Sequence, residues 1–149
     1  MPIASTIDRS LRVVFTTADT VLTDQDWMRH HERLRNHPTL EADSDQLLDF
    51  RSVEACRLTP EVIRITSVQS IFRPPSRQAF VAVNNLTFGM CRMYEMLCSH
   101  HDLRIEVFRD LQAANEWLGL NAKDVRRTAS NRLAVRPGLS NVLALYQTY

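Results

Sequence analysis

Residues 78–97 read QAFVAVNNLTFGMCRMYEML and contain the clearest pattern for the fold class of this chain. Its early part, residues 79–83, is an unbroken apolar run with the length of a strand that is buried on both faces of a sheet. Asn84 and Asn85 end that strand, and a helix is predicted over residues 86–100. The apolar residues of this helix are distributed over more of its circumference than a single buried face would require. A buried strand followed directly by such a helix is typical of an α/β fold.

On the N-terminal side, residues 11–17 (LRVVFTT) are predicted to form a strand because they are rich in β-branched residues. Residues 18–22 are predicted to form a turn and a short returning strand. Thr23, followed three residues later by Asp26, fits a capping box and predicts the start of the first helix. Pro38 forbids its continuation. The positions that recur at helical spacing are Trp27, His30 or His31, and Leu34.

A second strand and a second helix follow. Residues 46–50 (QLLDF) are the strand candidate, and Thr59-Pro60-Glu61 predicts a helix start, with threonine as the cap and proline in the first helical position. The residues that continue this helix are Val62, Ile65 and Val68 or Gln69.

On the C-terminal side, residues 103–108 alternate apolar with charged side chains, which predicts a strand with one solvent-facing side. Asp110 is the predicted cap of a fourth helix that ends at Gly119. Its buried positions are Leu111, Ala114 and Leu118. The order of elements therefore predicts an α/β fold: a central mixed, mostly parallel sheet of four to five strands with about four helices.

The chain has 149 residues, 44% of them apolar, which is enough for one domain and too few for two. We predict a domain over residues 1–120 and a basic C-terminal extension over residues 121–149, helical or partly mobile. The extension carries five cations against one acid, whereas residues 1–120 carry 13 arginines against 16 acids. Its end, with Leu139, Val142, Leu143, Leu145 and Tyr146, is spaced as a short amphipathic helix.

The net charge of +1 predicts no nucleic-acid partner. No apolar run approaches the roughly 18 residues of a membrane span, and the N-terminus lacks the pattern of a signal peptide, so we expect a cytoplasmic protein without a membrane span. The three cysteines, Cys56, Cys91 and Cys98, have no metal-ligand spacing and are expected to be buried free thiols. The sequence predicts neither a metal nor a cofactor.

No catalytic motif is present in the sequence. Cys91 lies nine or ten residues from His100 and His101 on the same predicted helix, too far for a thiol and base pair. The adjacent pairs His30-His31 and His100-His101 do not have the spacing of a metal site, and we expect these histidines to be exposed or singly packed. The protein is predicted not to be an enzyme.

Three stretches, residues 46–63, 78–97 and 103–120, together resemble the SpoIIAA-like family of bacterial proteins. That family is related to STAS domains of the anti-sigma-factor-antagonist type and shares a sheet architecture with CRAL-TRIO lipid-carrier domains. The resemblance covers about residues 9–120. Its most distinctive pieces are Asp49-Phe50-Arg51, FGMCRMYE at residues 88–95, VFRD at 107–110 and WLG at 117–119.

The resemblance implies a candidate phosphorylation site. In STAS regulators, a serine or threonine that begins the helix after the Asp-containing strand is phosphorylated by a partner kinase. If Asp49 is that aspartate, Arg57-Leu58-Thr59-Pro60 stands where the family pattern reads Asp-Ser-Ser-Gly, and Thr59 alone keeps a hydroxyl. The arginine and proline change the charge and the backbone of this docking surface. The simpler interpretation of Thr59 is a helix cap, which we favour.

Two further candidate sites follow. Ligands of open α/β sheets collect at the carboxyl ends of parallel strands, where a rim for an anionic ligand or a partner is predicted. Its members are Asp49, Arg51, Arg57, Asn84, Asn85 and Arg109; the simpler interpretation is caps and solvated loop charges. The methionine-rich helix is predicted to be core, a homodimer face or the lining of a lipid pocket. Its residues are Met90, Met93, Tyr94 and Met96.

The function expected from the resemblance is that of a non-enzymatic regulatory domain. It would bind a protein partner, a second copy of itself, or a small hydrophobic or anionic ligand. The alternative is a carrier of a lipid-like or hydrophobic small molecule.

Overall fold

Five strands form one sheet in the computed structural model, and their spatial order is β1-β2-β3-β4-β5. β1 pairs with β2 antiparallel, and the other three pairings are parallel. The predicted α/β fold with a mixed, mostly parallel sheet is therefore confirmed. The strands are β1 (Ile3–Asp8), β2 (Val13–Thr23), β3 (Asp45–Arg57), β4 (Arg77–Val81) and β5 (Arg104–Phe108).

Among the residues that the structure describes, four helices follow strands β2 to β5 in turn. Three of them begin at a predicted cap, and the third helix along the chain begins at Asn84, which was predicted to end the preceding strand. The helices are α1 (Asp24–Arg35), α2 (Pro60–Val68), α3 (Asn85–Cys98) and α4 (Leu111–Trp117). Their caps accept hydrogen bonds from the first turn through the side chains of Thr23, Thr59, Asn84 and Asp110. The capping box of Thr23 and Asp26 is present. Local side-chain chemistry thus sets all four helix starts.

Three helices cover one face of the sheet and the fourth covers the other. Trp27 of α1, Ile63 of α2 and Tyr94 of α3 belong to one buried cluster. Val107 also packs against this cluster. Its neighbour Phe108 must point to the opposite face, because successive side chains of a strand alternate. There the Phe108 ring lies 5.8 Å from the ring of Trp117 in α4.

The N-terminal strands differ from the prediction in two respects. No structure was assigned from the sequence before residue 11, and the structure adds β1 there, paired with β2 over the whole length of β1. The predicted turn and returning strand at residues 18–22 are part of β2, which continues parallel to β3 as far as Thr23. The pairing register shifts at Thr17/Asp19 and at Thr20/Val21, and Thr20 has φ of 59°. The turn-like composition of this stretch marks irregularities within one strand.

The second strand and second helix differ from their predictions in length and in phase. β3 has 13 residues, far more than residues 46–50, because its second half pairs with the end of β2. In α2 the buried residues are Ile63, Thr66 and Ser67, whereas Val68 is 62% exposed. The buried face therefore includes two hydroxyl side chains that an apolar pattern cannot reveal.

The structure describes residues 3–99, 102–124 and 126. The chain divides into two units, Met1–Leu118 and Gly119–Tyr149. Of the second unit, residues 122–124 and 126 are helical, and the side chains of Asn121 and Asp124 accept hydrogen bonds from each other's backbone N–H. The rest of the predicted extension, with His100 and His101, lies outside the described residues. Within the described ranges, no helix is long and apolar enough to cross a membrane.

Candidate functional site

The rim predicted at the carboxyl ends of the strands divides into three groups. Asn84, Asn85 and Arg109 form the first group, beside the start of α3. Asp49 and Arg51 form the second, at the level where β4 ends opposite Asp49. Arg57 is the third, at the end of β3.

Arg109 connects the end of β5 to the start of α3. Its guanidinium donates to the Val83 carbonyl at 3.0 Å and to Oδ1 of Asn85 at 2.9 Å. The guanidinium carbon lies 3.9 Å from the centre of the Phe88 ring. Asn84 caps α3 and also donates to the Glu54 carbonyl at 3.3 Å. The Arg109 side chain remains exposed, so its charge stays available at the surface.

Asp49 and Arg51 form a two-pronged ion pair. Nε and an Nη of Arg51 each lie 2.8 Å from an Asp49 carboxylate oxygen, and the Arg51 backbone N–H donates to the same group at 3.1 Å. Both side chains are at least three-quarters buried. Three donors of Arg51 bind this carboxylate, an arrangement that suits a structural role better than acid or base chemistry.

Thr59, the candidate phosphorylation site, joins two helix starts. Its hydroxyl accepts from the Val62 N–H at 3.3 Å and donates to Asp24 at 2.8 Å. Its own backbone N–H also donates to Asp24 at 2.8 Å. Thr59 is exposed. A phosphate on this hydroxyl would break the bond to Asp24 and place two negative groups together, so modification here would separate the two helix starts.

The four residues singled out on α3 lie in different environments. Tyr94 is 4% exposed, and its ring lies 5.8 Å from that of Trp27 and 5.6 Å from that of Phe80. Met90 and Met93 are half-buried against the same cluster, whereas Met96 is 64% exposed. Tyr94 is therefore a core residue, and Met96 belongs to the surface.

The large apolar side chains that the described residues expose lie on neighbouring elements. They are Val68, Val83, Leu86 and Met96, each at least 51% exposed, and we call them the exposed apolar group. Val68 ends α2, Val83 and Leu86 flank the start of α3, and Met96 lies near its end. α2 and α3 pack against each other. Val83 and Leu86 lie at one end of α3 and Met96 lies near the other, and exposed apolar side chains on neighbouring helices are candidates for an interaction surface.

The histidines of α1 were expected to be exposed or singly packed, but the structure buries both in one cluster. His30 is 2% exposed and His31 is 8% exposed. Their rings lie 5.7 Å apart, and each lies within 6 Å of the Trp27 ring. Trp27, His30, His31 and Leu34 recur at the spacing of one face of a helix. This pattern in the sequence was the signal for the burial of both histidines. In the described part of the chain, no group of residues could hold a metal ion.

Burial keeps both imidazoles neutral. It lowers the pKa of His30 to about 3, and the nearby charges of His31 and Arg33 act in the same direction. It lowers the pKa of His31 to about 4, although a hydrogen bond to the Trp27 carbonyl opposes the shift. A small cavity of about 10 Å³ lies beside these rings. The sequence did not predict this polar pocket, because Gln46 and Gln78 are 32 residues apart in the sequence and are brought together only by the pairing of β3 with β4.

The cysteines are confirmed as buried free thiols. Burial raises the pKa of Cys91 far above its usual range and that of Cys98 to about 11. The thiolate, which is the reactive form, is therefore scarce at neutral pH for both residues.

The fold has a counterpart among solved structures. A crystal structure from Shewanella loihica PV-4, described as an uncharacterized protein from the DUF3478 family with a SpoIIAA-like fold, aligns with a TM-score of 0.52 and 18% identity. The alignment covers 78% of this chain and 93% of that one. The chain has a SpoIIAA-like fold, which confirms the resemblance seen in the sequence. No family model and no curated protein matches the sequence.

Proposed function

We propose that this protein is a non-enzymatic regulatory domain that binds a protein partner through α2 and α3. The observation that carries the proposal is the exposed apolar group, Val68, Val83, Leu86 and Met96. These side chains contribute little to the core, so burial against a partner is the direct way in which they gain free energy. The candidate regulatory residue Thr59 begins α2, on the same pair of helices.

The experiment compares surface variants of the full chain. Met96→Lys and Val68→Lys place charges in the proposed interface, and Gln112→Lys is a matched control on α4, on the other face of the sheet. Partners that co-purify with the wild-type chain from its native cells are counted by quantitative mass spectrometry. We expect a specific partner to be lost with Met96→Lys and Val68→Lys and kept with Gln112→Lys. Equal recovery with all three variants would reject the proposal.

Self-association is tested with the same variants. A dimer through α3 is expected to dissociate in Met96→Lys, and light scattering coupled to size-exclusion chromatography measures this directly. An oligomer that persists in Met96→Lys does not use this surface.

Regulation by phosphorylation is proposed at Thr59. With a cognate kinase, phosphate incorporation is expected in the wild-type chain and absent in Thr59→Ala. Incorporation that is unchanged in Thr59→Ala excludes this residue, and its role is then the helix cap alone.

The anionic-ligand rim remains a prediction for the Arg109 group and the Asp49–Arg51 pair. A binding screen with phosphate-bearing small molecules tests it. Affinity that is unchanged in Arg51→Ala and Arg109→Ala rejects the site.

Neither of two cavities lined by described residues favours the carrier alternative. Sites for lipid-sized molecules occupy about 300–1,000 Å³, whereas a cavity beside Tyr94 has about 10 Å³. A wider depression of about 400 Å³ is open to solvent and is lined by Arg29, Glu32, Arg33 and Asn36, side chains that do not suit a hydrophobic ligand. Native mass spectrometry of the purified chain would reveal a retained ligand.

A further inference from the structure

A cavity the size of one water molecule lies between α1 and the sheet, and residues 70–72 line one part of it. Its volume is about 10 Å³, close to the smallest space that holds a water molecule. Apolar side chains line part of it, but polar ones contribute as well. The polar and partly polar lining residues are His30, His31, Gln46, Ser70, Gln78 and Tyr94.

The tautomer of His31 follows from its hydrogen bond. Nδ1 lies 3.0 Å from the backbone carbonyl of Trp27. A carbonyl oxygen only accepts, so Nδ1 carries the hydrogen. The ring is neutral at pH 7, which leaves Nε2 as an acceptor. His31 lines the cavity, and a buried imidazole acceptor needs a donor.

A series of side-chain hydrogen bonds begins at Gln46 and ends at Nδ1 of His30. Nε2 of Gln46 donates to Oγ1 of Thr16 at 3.0 Å. Oγ1 of Thr16 lies 2.9 Å from Oγ of Ser5, which lies 3.4 Å from Nδ1 of His30. When the Thr16 hydroxyl donates to Oγ of Ser5, the Ser5 hydroxyl donates in turn to His30, so Nδ1 of His30 is an acceptor. Nε2 of the neutral ring then carries the hydrogen and is a donor.

Gln78 supplies the third polar group. It is 2% exposed and stands beside Gln46 in the register of β3 and β4. Its side chain lines the cavity together with that of Gln46. Buried amides are almost always hydrogen-bonded, either to protein or to an ordered water molecule.

We propose that the cavity binds one ordered water molecule between two histidines of opposite tautomer. The water accepts from Nε2–H of His30, donates to Nε2 of His31 and forms its third bond with the Gln78 amide. Three hydrogen bonds are typical of buried water. The water thereby links α1 to β4 and continues the polar chain that begins at Gln46 and passes through β2 and β1.

The first test uses the wild-type chain labelled with ¹⁵N-histidine at pH 7. Long-range proton–nitrogen spectra distinguish the two tautomers of each ring. We expect hydrogen on Nδ1 of His31 and on Nε2 of His30, together with a nuclear Overhauser effect between the His30 Nε2 proton and a long-lived water. Hydrogen on Nδ1 of both rings, or no such water, would overturn the proposal.

A matched pair of variants gives the second test. Gln78→Met keeps the length of the side chain and removes the amide, and Gln112→Met makes the same change on the exposed surface of α4. We expect the water signal to be lost or shortened in lifetime in Gln78→Met and unchanged in Gln112→Met. A signal that persists in both variants overturns the role of Gln78. If Gln78→Met does not fold, a high-resolution crystal structure of the wild type decides by the presence or absence of water density in the cavity.

Discussion

Thr59 and Asp24 join the starts of two helices through a pair of hydrogen bonds of 2.8 Å each. The Thr59 backbone N–H donates to one carboxylate oxygen of Asp24, and the hydroxyl donates to the other. The same hydroxyl accepts from Val62, so one side chain caps α2 and binds the first residue of α1. The residue that resembles a regulatory site therefore has a structural role as well.

Thr59→Ala is expected to lower the free energy of unfolding by about 1 kcal/mol, because the cap of α2 is lost. Thr59→Ser keeps the hydroxyl and should retain most of the stability. Urea denaturation of the three proteins measures the difference. Equal stability of Thr59→Ala and the wild type would contradict the capping role.

The indole of Trp27 donates to the buried hydroxyl of Thr66 at 2.9 Å and so connects α1 to α2. Thr66→Val leaves this N–H without its acceptor, at an expected cost of about 1–3 kcal/mol. Trp27→Phe removes the donor, and the double variant closes a thermodynamic cycle. A coupling energy near zero in that cycle would show that the bond contributes nothing.

Acid should destabilise the fold through His30 and His31. Their pKa values fall from 6.5 to about 3 and about 4 in the folded chain, so below pH 6.5 the unfolded state binds more protons. The contribution of the two neutral histidines to the free energy of unfolding is therefore fully present above pH 6.5 and decreases as the pH falls toward 4. The expected slope is about 1.4 kcal/mol per pH unit for each histidine.

Urea titrations between pH 7.5 and pH 4.5 measure this slope. His31→Gln should reduce it by about half. A free energy of unfolding that does not change between pH 6.5 and pH 5 would contradict the burial of neutral imidazoles.

The cysteines should resist alkylation in the native protein. Burial raises the pKa of Cys98 to about 11 and that of Cys91 still further, so both thiolates are rare at pH 8. We expect slow reaction of Cys91 and Cys98 with iodoacetamide and fast reaction of all three cysteines in urea. Mass spectrometry counts the adducts. Rapid native labelling of Cys91 would show that α3 opens from the sheet.

Local hydrogen-bonding chemistry made the helix starts predictable. Thr23, Thr59, Asn84 and Asp110 were read as caps or strand ends from their sequence neighbours, and each caps a helix. The apolar run before Asn84 and the alternation in residues 103–108 also identified β4 and β5. These signals lie within a few residues, so no distant contact is needed to read them.

The candidate site was less predictable, because its parts come from distant segments. The sequence placed Asp49, Arg51 and Arg109 near strand ends but could not show that Asp49 is occupied by Arg51 or that Arg109 lies over Phe88. The exposure of Val68 was hidden because α2 buries Thr66 and Ser67 instead.

Neighbouring residues in the chain were enough to predict the alternation of strands and helices, the helix caps and the resemblance to the SpoIIAA-like fold. The strand partners depend on the folded chain: β1 is an edge strand because its backbone pairs with β2, and residues 18–22 continue β2 because β3 runs beside them. Tertiary contacts also bring His30 and His31 into a buried polar pocket shared with Gln46 and Gln78. Caps and periodicity depend on neighbours in the chain, whereas pairing and burial depend on residues that only folding brings together.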